Sequence, residues 1–176
     1  ENALRSALRG NPDLAEAHYT LGLLAEILGT GSEVDHLRQA RKLDPKAYPV
    51  TPQMPRPDFE AVVSEALSKL PEPVRSATQN IPVLVAEVPH PADLTQGDPP
   101  LSPRILGLFV GAPPAETSTL DAPPVEQPTI LLFKRNLERA SPDRATLIEE
   151  IRVTVLHEVG HALGLSEDEL HERGLE

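Results

Sequence analysis

Residues 154–163 read TVLHEVGHAL and place His157, Glu158 and His161 inside an otherwise apolar stretch. Two histidines four residues apart lie side by side on a helix, with Cβ atoms about 5 to 6 Å apart, so both imidazoles can reach one metal ion. Glu158 is turned by about 100° from His157 and can instead reach a water molecule at an open position of the ion, where a general base belongs. The pattern predicts a metal centre that hydrolyses peptide or amide bonds.

The helix that carries this motif is predicted to begin at Ser141-Pro142, a capping residue followed by proline at the first helical position, and to end near Leu163. Gly160 costs such a helix roughly 1 kcal/mol relative to alanine, which suggests that another backbone approaches closely there. Thr154 shares the histidine face, where it either lines a cleft or is solvated. The opposite face is apolar and is predicted to pack on the core: Ile148, Ile151, Val155, Val159 and Ala162.

Three residues compete to be the third metal ligand, namely Glu167, Asp168 and His171. On a straight helix Asp168 would lie about 10 Å along the axis from His161, which is too far to share an ion. The chain must therefore turn after the motif. Gly164 supplies the turn, because a glycine just past a helix end readily adopts the left-handed conformation that reverses the chain.

A capping box offers a simpler role for two of these candidates. Ser166 and Glu169 form an S-x-x-E pattern that starts a short following helix, in which Glu167 and Asp168 can be first-turn acids favoured by the helix dipole. The two interpretations are compatible, because a capped turn would also hold a ligand rigidly. His171 is alternatively a donor to the developing oxyanion.

Composition limits the classes of function. The chain has 176 residues, 39% of them hydrophobic, which is enough for one ordinary domain and a small appendage. It has no cysteine, so a metal must be held by His, Asp or Glu, and a reducing compartment suits it. A formal net charge of −11 disfavours nucleic acid as a partner. No stretch approaches the roughly 20 apolar residues of a membrane span, and no leader opens the chain, so we expect a soluble, cytoplasmic protein.

An internal repeat occupies the first quarter of the chain. LRSALRGNP (residues 4–12) and LRQARKLDP (residues 37–45) align at an offset of 33 residues. Apolar spacing predicts one helix over about residues 14–28 and a second over about residues 33–43. The segment resembles a tetratricopeptide repeat at Leu21-Gly22, Leu37, Ala40 and Pro45, with His18 where a large aromatic residue is expected. A helical arm over residues 1–48 is predicted, which either binds a protein partner or packs on the main domain.

A proline-rich segment follows the arm. Residues 48–57 read YPVTPQMPRP, with four prolines in ten residues, a composition that stays extended. We predict a linker over residues 49–57 and a second domain over residues 58–176. Asp58 is predicted to cap the first helix of that domain.

Three short apolar runs in the second domain are bounded by proline or glycine and are predicted to be strands: IPVLVAEV (81–88), ILGLFVG (105–111) and TILLFK (129–134). The proline-rich spacers between them, residues 89–103 and 112–128, are predicted to be long surface loops that could frame a substrate cleft. The second run could also offer an edge to an extended peptide.

The stretch HEVGHALGLSEDEL (157–170), with the upstream order helix, IPVLVAEV, ILGLFVG and TILLFKRNL, resembles the minimal zincin-like metallopeptidases, which are small bacterial domains. The resemblance covers roughly residues 58–170, and its HExxHxxG core is specific. It implies an α+β fold, with a small mixed sheet flanked by helices and the active-site helix below it, and zinc as the ion. Glu167 falls where the resembled families place a ligand, although aspartate is common there.

The sequence therefore predicts an α+β zincin-like zinc peptidase, preceded by a helical arm and acting on peptide or protein substrates. His157, His161 and Glu167 would hold Zn²⁺, and Glu158 would be the general base. The rival hypothesis is a protein-interaction module whose metal site is structural or inactive. A closed sphere of four protein ligands would favour the module, and an open water position would favour the enzyme.

Overall fold

The computed structural model describes residues 1–95, 99–111 and 127–172, and the chain divides into two compact units. Unit 1 comprises Glu1–Thr51 and Val88–Ile105, and unit 2 comprises Pro52–Glu87 and Leu106–Glu176. The predicted boundaries run consecutively along the chain, as 1–48, 49–57 and 58–176. The structure instead groups residues 88–105 with the N-terminal helices.

Unit 1 is helical. Its elements are α1 (Asn2–Gly10), α2 (Ala15–Leu28), α3 (Glu33–Leu43) and the short α6 (Pro91–Leu94). The two predicted helices of the repeat are confirmed as α2 and α3, and Gly29 ends α2 in the left-handed conformation, with φ of 64°. Gly22 permits their close packing, because a Cβ atom there would lie 2.7 Å from Leu37 Cγ.

Contacts of Arg104 explain why residues 88–105 belong to unit 1. Its guanidinium lies over the ring of Tyr19, 4.8 Å from the centroid, and pairs with the carboxylate of Glu16. Tyr48 stacks on Tyr19 with ring centroids 4.5 Å apart, and its hydroxyl donates to Glu16. The predicted loop over residues 89–103 also contains α6, capped by His90, so it is partly helical.

Unit 2 contains the sheet and the remaining helices. The helices are α4 (Arg56–Ser68), α5 (Glu72–Thr78), α7 (Lys134–Ala140), α8 (Arg144–Ala162) and α9 (Glu167–Glu172). The strands are β1 (Val83–Ala86), β2 (Gly107–Val110) and β3 (Thr129–Phe133), so each predicted strand is confirmed over a shorter range. The second predicted spacer lies outside the described residues from 112 to 126.

The three strands form a mixed sheet in the order β1-β3-β2. β1 is parallel to β3, whereas β2 is antiparallel to it and forms an edge. One hydrophobic core joins the sheet to α4, α7 and α8, through buried residues such as Phe59, Leu132, Leu137, Ile151 and Val155. The predicted α+β class is confirmed: a small mixed sheet with helices, preceded in the chain by helices.

Two predicted helix starts are wrong by two or three residues. α8 begins at Arg144, because Asp143 is its cap and accepts a hydrogen bond from the Thr146 N–H at 2.9 Å. Ser141 is buried instead, and its hydroxyl donates to the Leu137 carbonyl. α4 begins at Arg56, after Pro55, which places Asp58 in its first turn.

The predicted linker contributes to the core of unit 2. Met54 is only 2% exposed, and its N–H donates to Glu138 Oε1 at 2.7 Å. The same carboxylate pairs with Lys134 Nζ at 2.7 Å, so a buried ion pair also fixes this part of the chain. Residues 52–55 therefore have no regular secondary structure, yet Met54 is packed, because the composition that prevents a helix does not prevent one apolar side chain from being buried.

Candidate metal centre

The two motif histidines and Glu167 converge on one point. His157 and His161 project from α8 with their Nε2 atoms 3.0 Å apart. Glu167, at the start of α9, places Oε1 3.3 Å from His161 Nε2 and Oε2 3.7 Å from His157 Nε2. Within residues 1–95, 99–111 and 127–172, these three form the one group of His, Asp and Glu side chains compact enough to share an ion, and Asp168 and His171 do not join it.

The turn after α8 brings Glu167 back toward the histidines. Gly164 has φ of 84°, as the sequence predicts for a left-handed glycine past the helix end. The Leu165 N–H donates to the Gly160 carbonyl at 3.0 Å, and the Gly164 N–H donates to the His161 carbonyl at 2.9 Å. This pair of bonds is the Schellman motif, which satisfies the last carbonyls of the helix while the chain reverses.

Two features fix α9 against the end of α8. The predicted capping box is present, with the Ser166 N–H donating to Glu169 Oε2 at 2.9 Å and the Glu169 N–H donating to Ser166 Oγ at 3.4 Å. Leu170 is fully buried and packs directly on Gly160, where a Cβ atom would overlap its Cδ2. The close neighbour of Gly160 is thus the Leu170 side chain, and the predicted backbone approach is wrong. Glu167 lies about one turn before Leu170, on the side that faces α8.

A hydrogen bond orients one imidazole for metal binding. His161 Nδ1 lies 3.1 Å from the Leu165 carbonyl, which can only accept, so Nδ1 carries the proton and donates. In the neutral imidazole, Nε2 then keeps its lone pair and lies near His157 and Glu167. A metal-ligating histidine commonly has its other nitrogen held in this way. The turn that follows the motif therefore also sets the tautomer of a candidate ligand.

The donor set fits a zinc ion. Two imidazole nitrogens and one carboxylate oxygen are donors that zinc accepts, and three protein ligands leave one of its four positions open. The side chains of His157 and His161 are 23% and 25% exposed, and that of Glu167 is 71% exposed. One side of the group is therefore accessible from solvent.

Glu158 follows His157 on α8 but is not a member of this group, and it is only 5% exposed. Burial raises the pKa of its carboxyl to about 7, and the negative charge of Glu167 adds to the rise, whereas a hydrogen bond from the Phe109 backbone N–H opposes it. Glu158 is thus held between α8 and the edge strand β2.

Residues of β2 complete the surroundings of Glu158, and the motif alone did not indicate them. A Cβ atom at Gly107 would lie 2.6 Å from Glu158 Oε1, and Thr154 borders the same space. Thr154 is 6% exposed, so the solvated alternative for this residue is wrong. Gly107 in ILGLFVG was the sequence signal for this contact, since a glycine inside a strand often marks a close approach by another group.

Comparison with protein families supplies an independent observation. The family model described as Zincin-like metallopeptidase matches residues 78–175, more than half of the chain. The chain belongs to the zincin-like metallopeptidase family. Families of this kind generally bind zinc, in agreement with the donor set of the candidate site in this zincin-like chain. A comparison with curated proteins finds no match.

Proposed function

We propose that this zincin-like protein is a zinc-dependent peptidase in which His157, His161 and Glu167 hold the ion and Glu158 is the general base. The observation that carries the proposal is the convergence of these three ligand types beside a buried carboxylate. A three-ligand set with an accessible side is typical of catalytic zinc, whereas structural zinc is usually enclosed by four protein ligands.

The chemistry divides between the ion and the protein. Bound zinc would supply a Lewis acid that lowers the pKa of water toward 7 and polarises the scissile carbonyl. Glu158 accepts the proton of the attacking water as the new C–O bond forms, and it passes that proton to the amine nitrogen as the C–N bond breaks. Its burial removes the competing hydration that would weaken an exposed carboxylate as a base.

The outer edge of β2, with which no strand of the described residues pairs, supports an extended peptide as the substrate. The Phe133 N–H donates to the Leu106 carbonyl at 2.9 Å, so strand alternation turns both backbone groups of Gly107 and the C=O of Phe109 away from β3. The Phe109 N–H also turns away from β3, but it already donates to Glu158. A substrate strand can pair with such an edge and receive main-chain hydrogen bonds. Since Gly107 adjoins Glu158, a peptide on this edge would lie beside the proposed base.

The rival hypothesis is an interaction module with a structural or inactive metal site, and its structural form requires a different ligand set. A closed site needs a fourth protein ligand, and no further His, Asp or Glu of the described ranges joins the group. Partner binding by the α2–α3 hairpin is a separate proposal that the peptidase activity does not exclude. Exposed apolar side chains on that hairpin, Leu28 and Val34, would be available to a partner.

Substitution of the proposed base tests the function. Glu158→Gln should keep zinc and the fold, while hydrolysis of unfolded proteins or of a peptide library falls by about 10²- to 10⁴-fold, the usual contribution of general acid–base catalysis. Glu149→Gln, an exposed change on the same helix, is the matched control and should leave the rate unchanged. Wild-type activity in Glu158→Gln would refute the role of Glu158. A wild-type protein that holds zinc and cleaves no library member would favour the interaction module.

A further inference from the structure

The edge strand β2 carries a glycine where it passes over the motif helix. Gly107 is paired with Leu132 on β3, and its missing side chain would point at α8. A Cβ atom there would lie 2.6 Å from Glu158 Oε1, 2.8 Å from Glu158 Cγ and 2.9 Å from Thr154 Cγ2. All three distances are shorter than the contacts that Cβ atoms make in proteins, so any larger residue would displace its neighbours.

The helix has little freedom to yield to such a side chain. Val155 lies three residues before Glu158 on α8, and Val159 follows it directly. They are 0% and 3% exposed and belong to the hydrophobic core. Moving the helix would disturb that packing, whereas rotating the Glu158 side chain would not. The displaced group would therefore be the carboxylate itself.

A second contact from the same strand fixes the carboxylate in place. The backbone N–H of Phe109, two residues after Gly107, donates a hydrogen bond to it. Two residues of one edge strand thus act on Glu158. Gly107 leaves space for the carboxylate, and the Phe109 N–H holds it by a hydrogen bond. Gly107 does not have a positive φ, so alanine would fit its backbone conformation and would differ from glycine only by its volume.

We infer that Gly107 is a positioning residue for Glu158: its lack of a side chain lets the carboxylate stand against β2, anchored by the Phe109 N–H, beside the group formed by His157, His161 and Glu167. The inference deepens the proposed function and rests on it for its catalytic consequence. On this inference, the edge strand β2 positions the carboxylate of the proposed base.

The kinetic test compares Gly107→Ala with Gly10→Ala, a control glycine that has no atom within 4 Å of its Cβ position. Gly107→Ala should keep the wild-type zinc content and lose about 10²-fold in kcat, the loss expected when a catalytic group is misplaced by about 1 Å. In the Glu158→Gln background the same alanine should cause no further loss, because it acts through Glu158. Full activity in Gly107→Ala, or an equal loss in both backgrounds, would overturn the inference.

A structural arm of the experiment does not depend on activity. The amide proton of Phe109 in ¹⁵N-edited spectra should shift upfield in Glu158→Ala, which removes the acceptor, and by a similar amount in Gly107→Ala. Gly10→Ala should leave it unchanged. If Phe109 keeps its wild-type shift in Gly107→Ala, the glycine does not seat the carboxylate and the inference is wrong. If the wild type proves to have no peptidase activity, the proposed function fails, and the Phe109 shift still decides whether Gly107 positions Glu158.

Discussion

Glu167 is the third member of the candidate metal-binding group, and it comes from a different helix than the two histidines. It lies 3.3 Å from His161 Nε2, whereas the neighbouring Asp168 does not join the group. Its 71% exposure means that little packing holds its side chain, so its position depends on the backbone of the turn.

We predict that Glu167→Ala weakens zinc affinity by at least about tenfold, because one of three ligands is lost. Asp168→Ala is the matched control and should change the affinity little, since it removes the same charge one residue away. A competition titration with a chelator measures both affinities. The reverse order of effects would transfer the role to Asp168.

At the residue scale, local spacing predicted the candidate metal-binding group but not the surroundings of Glu158. Helical geometry fixes His157 and His161 relative to each other, and Gly164 allows one kind of reversal, so these features follow from adjacent residues. Gly107 and Phe109 are about 50 residues away from Glu158 in the chain. The approach of these two residues to Glu158 depends on strand register and on packing, and a local sequence pattern does not predict either.

The short helix α9 is the element that carries Glu167 to the site. Leu170 anchors it by filling the space above Gly160, and the Ser166–Glu169 box starts it. A helix of this length has little stability of its own, so its position depends on this one buried side chain.

Leu170→Ala should therefore weaken zinc binding although Leu170 is not one of the proposed ligands. The lost packing costs about 2 to 5 kcal/mol for a fully buried leucine, part of which appears as release of α9. Leu163→Ala, at the exposed end of α8, is the control, and Leu170→Met should retain most of the affinity because it conserves volume. Zinc affinity and thermal unfolding would be measured for each variant. Wild-type affinity in Leu170→Ala would show that α9 does not position Glu167.

At the element scale, long or strongly patterned elements were predictable and short ones were not. The three strands and the helices α2, α3, α4 and α8 follow from apolar periodicity and from bounding prolines or glycines. The helices α5 and α7 have seven residues each, too few to show a clear period. The start of α8 was misplaced because Ser141 and Asp143 are both good capping residues, and burial of Ser141 decides between them.

At the scale of the molecule, the grouping of residues 88–105 with the N-terminal helices could not be read from composition. It depends on Arg104 meeting Tyr19 and Glu16, more than 80 residues earlier in the chain. Within the described helices, none has the length and apolar character that a membrane crossing requires.

The zinc content of the purified protein tests the central claim most directly. Elemental analysis of wild-type protein prepared without added zinc should find about one zinc ion per molecule, and the His157→Ala/His161→Ala double variant, shown to be folded by circular dichroism, should hold essentially none. His90→Ala, which removes a histidine from unit 1, should keep the wild-type content. Equal zinc in the wild type and the double variant would contradict the account, because the ion would then be bound elsewhere than at this helix.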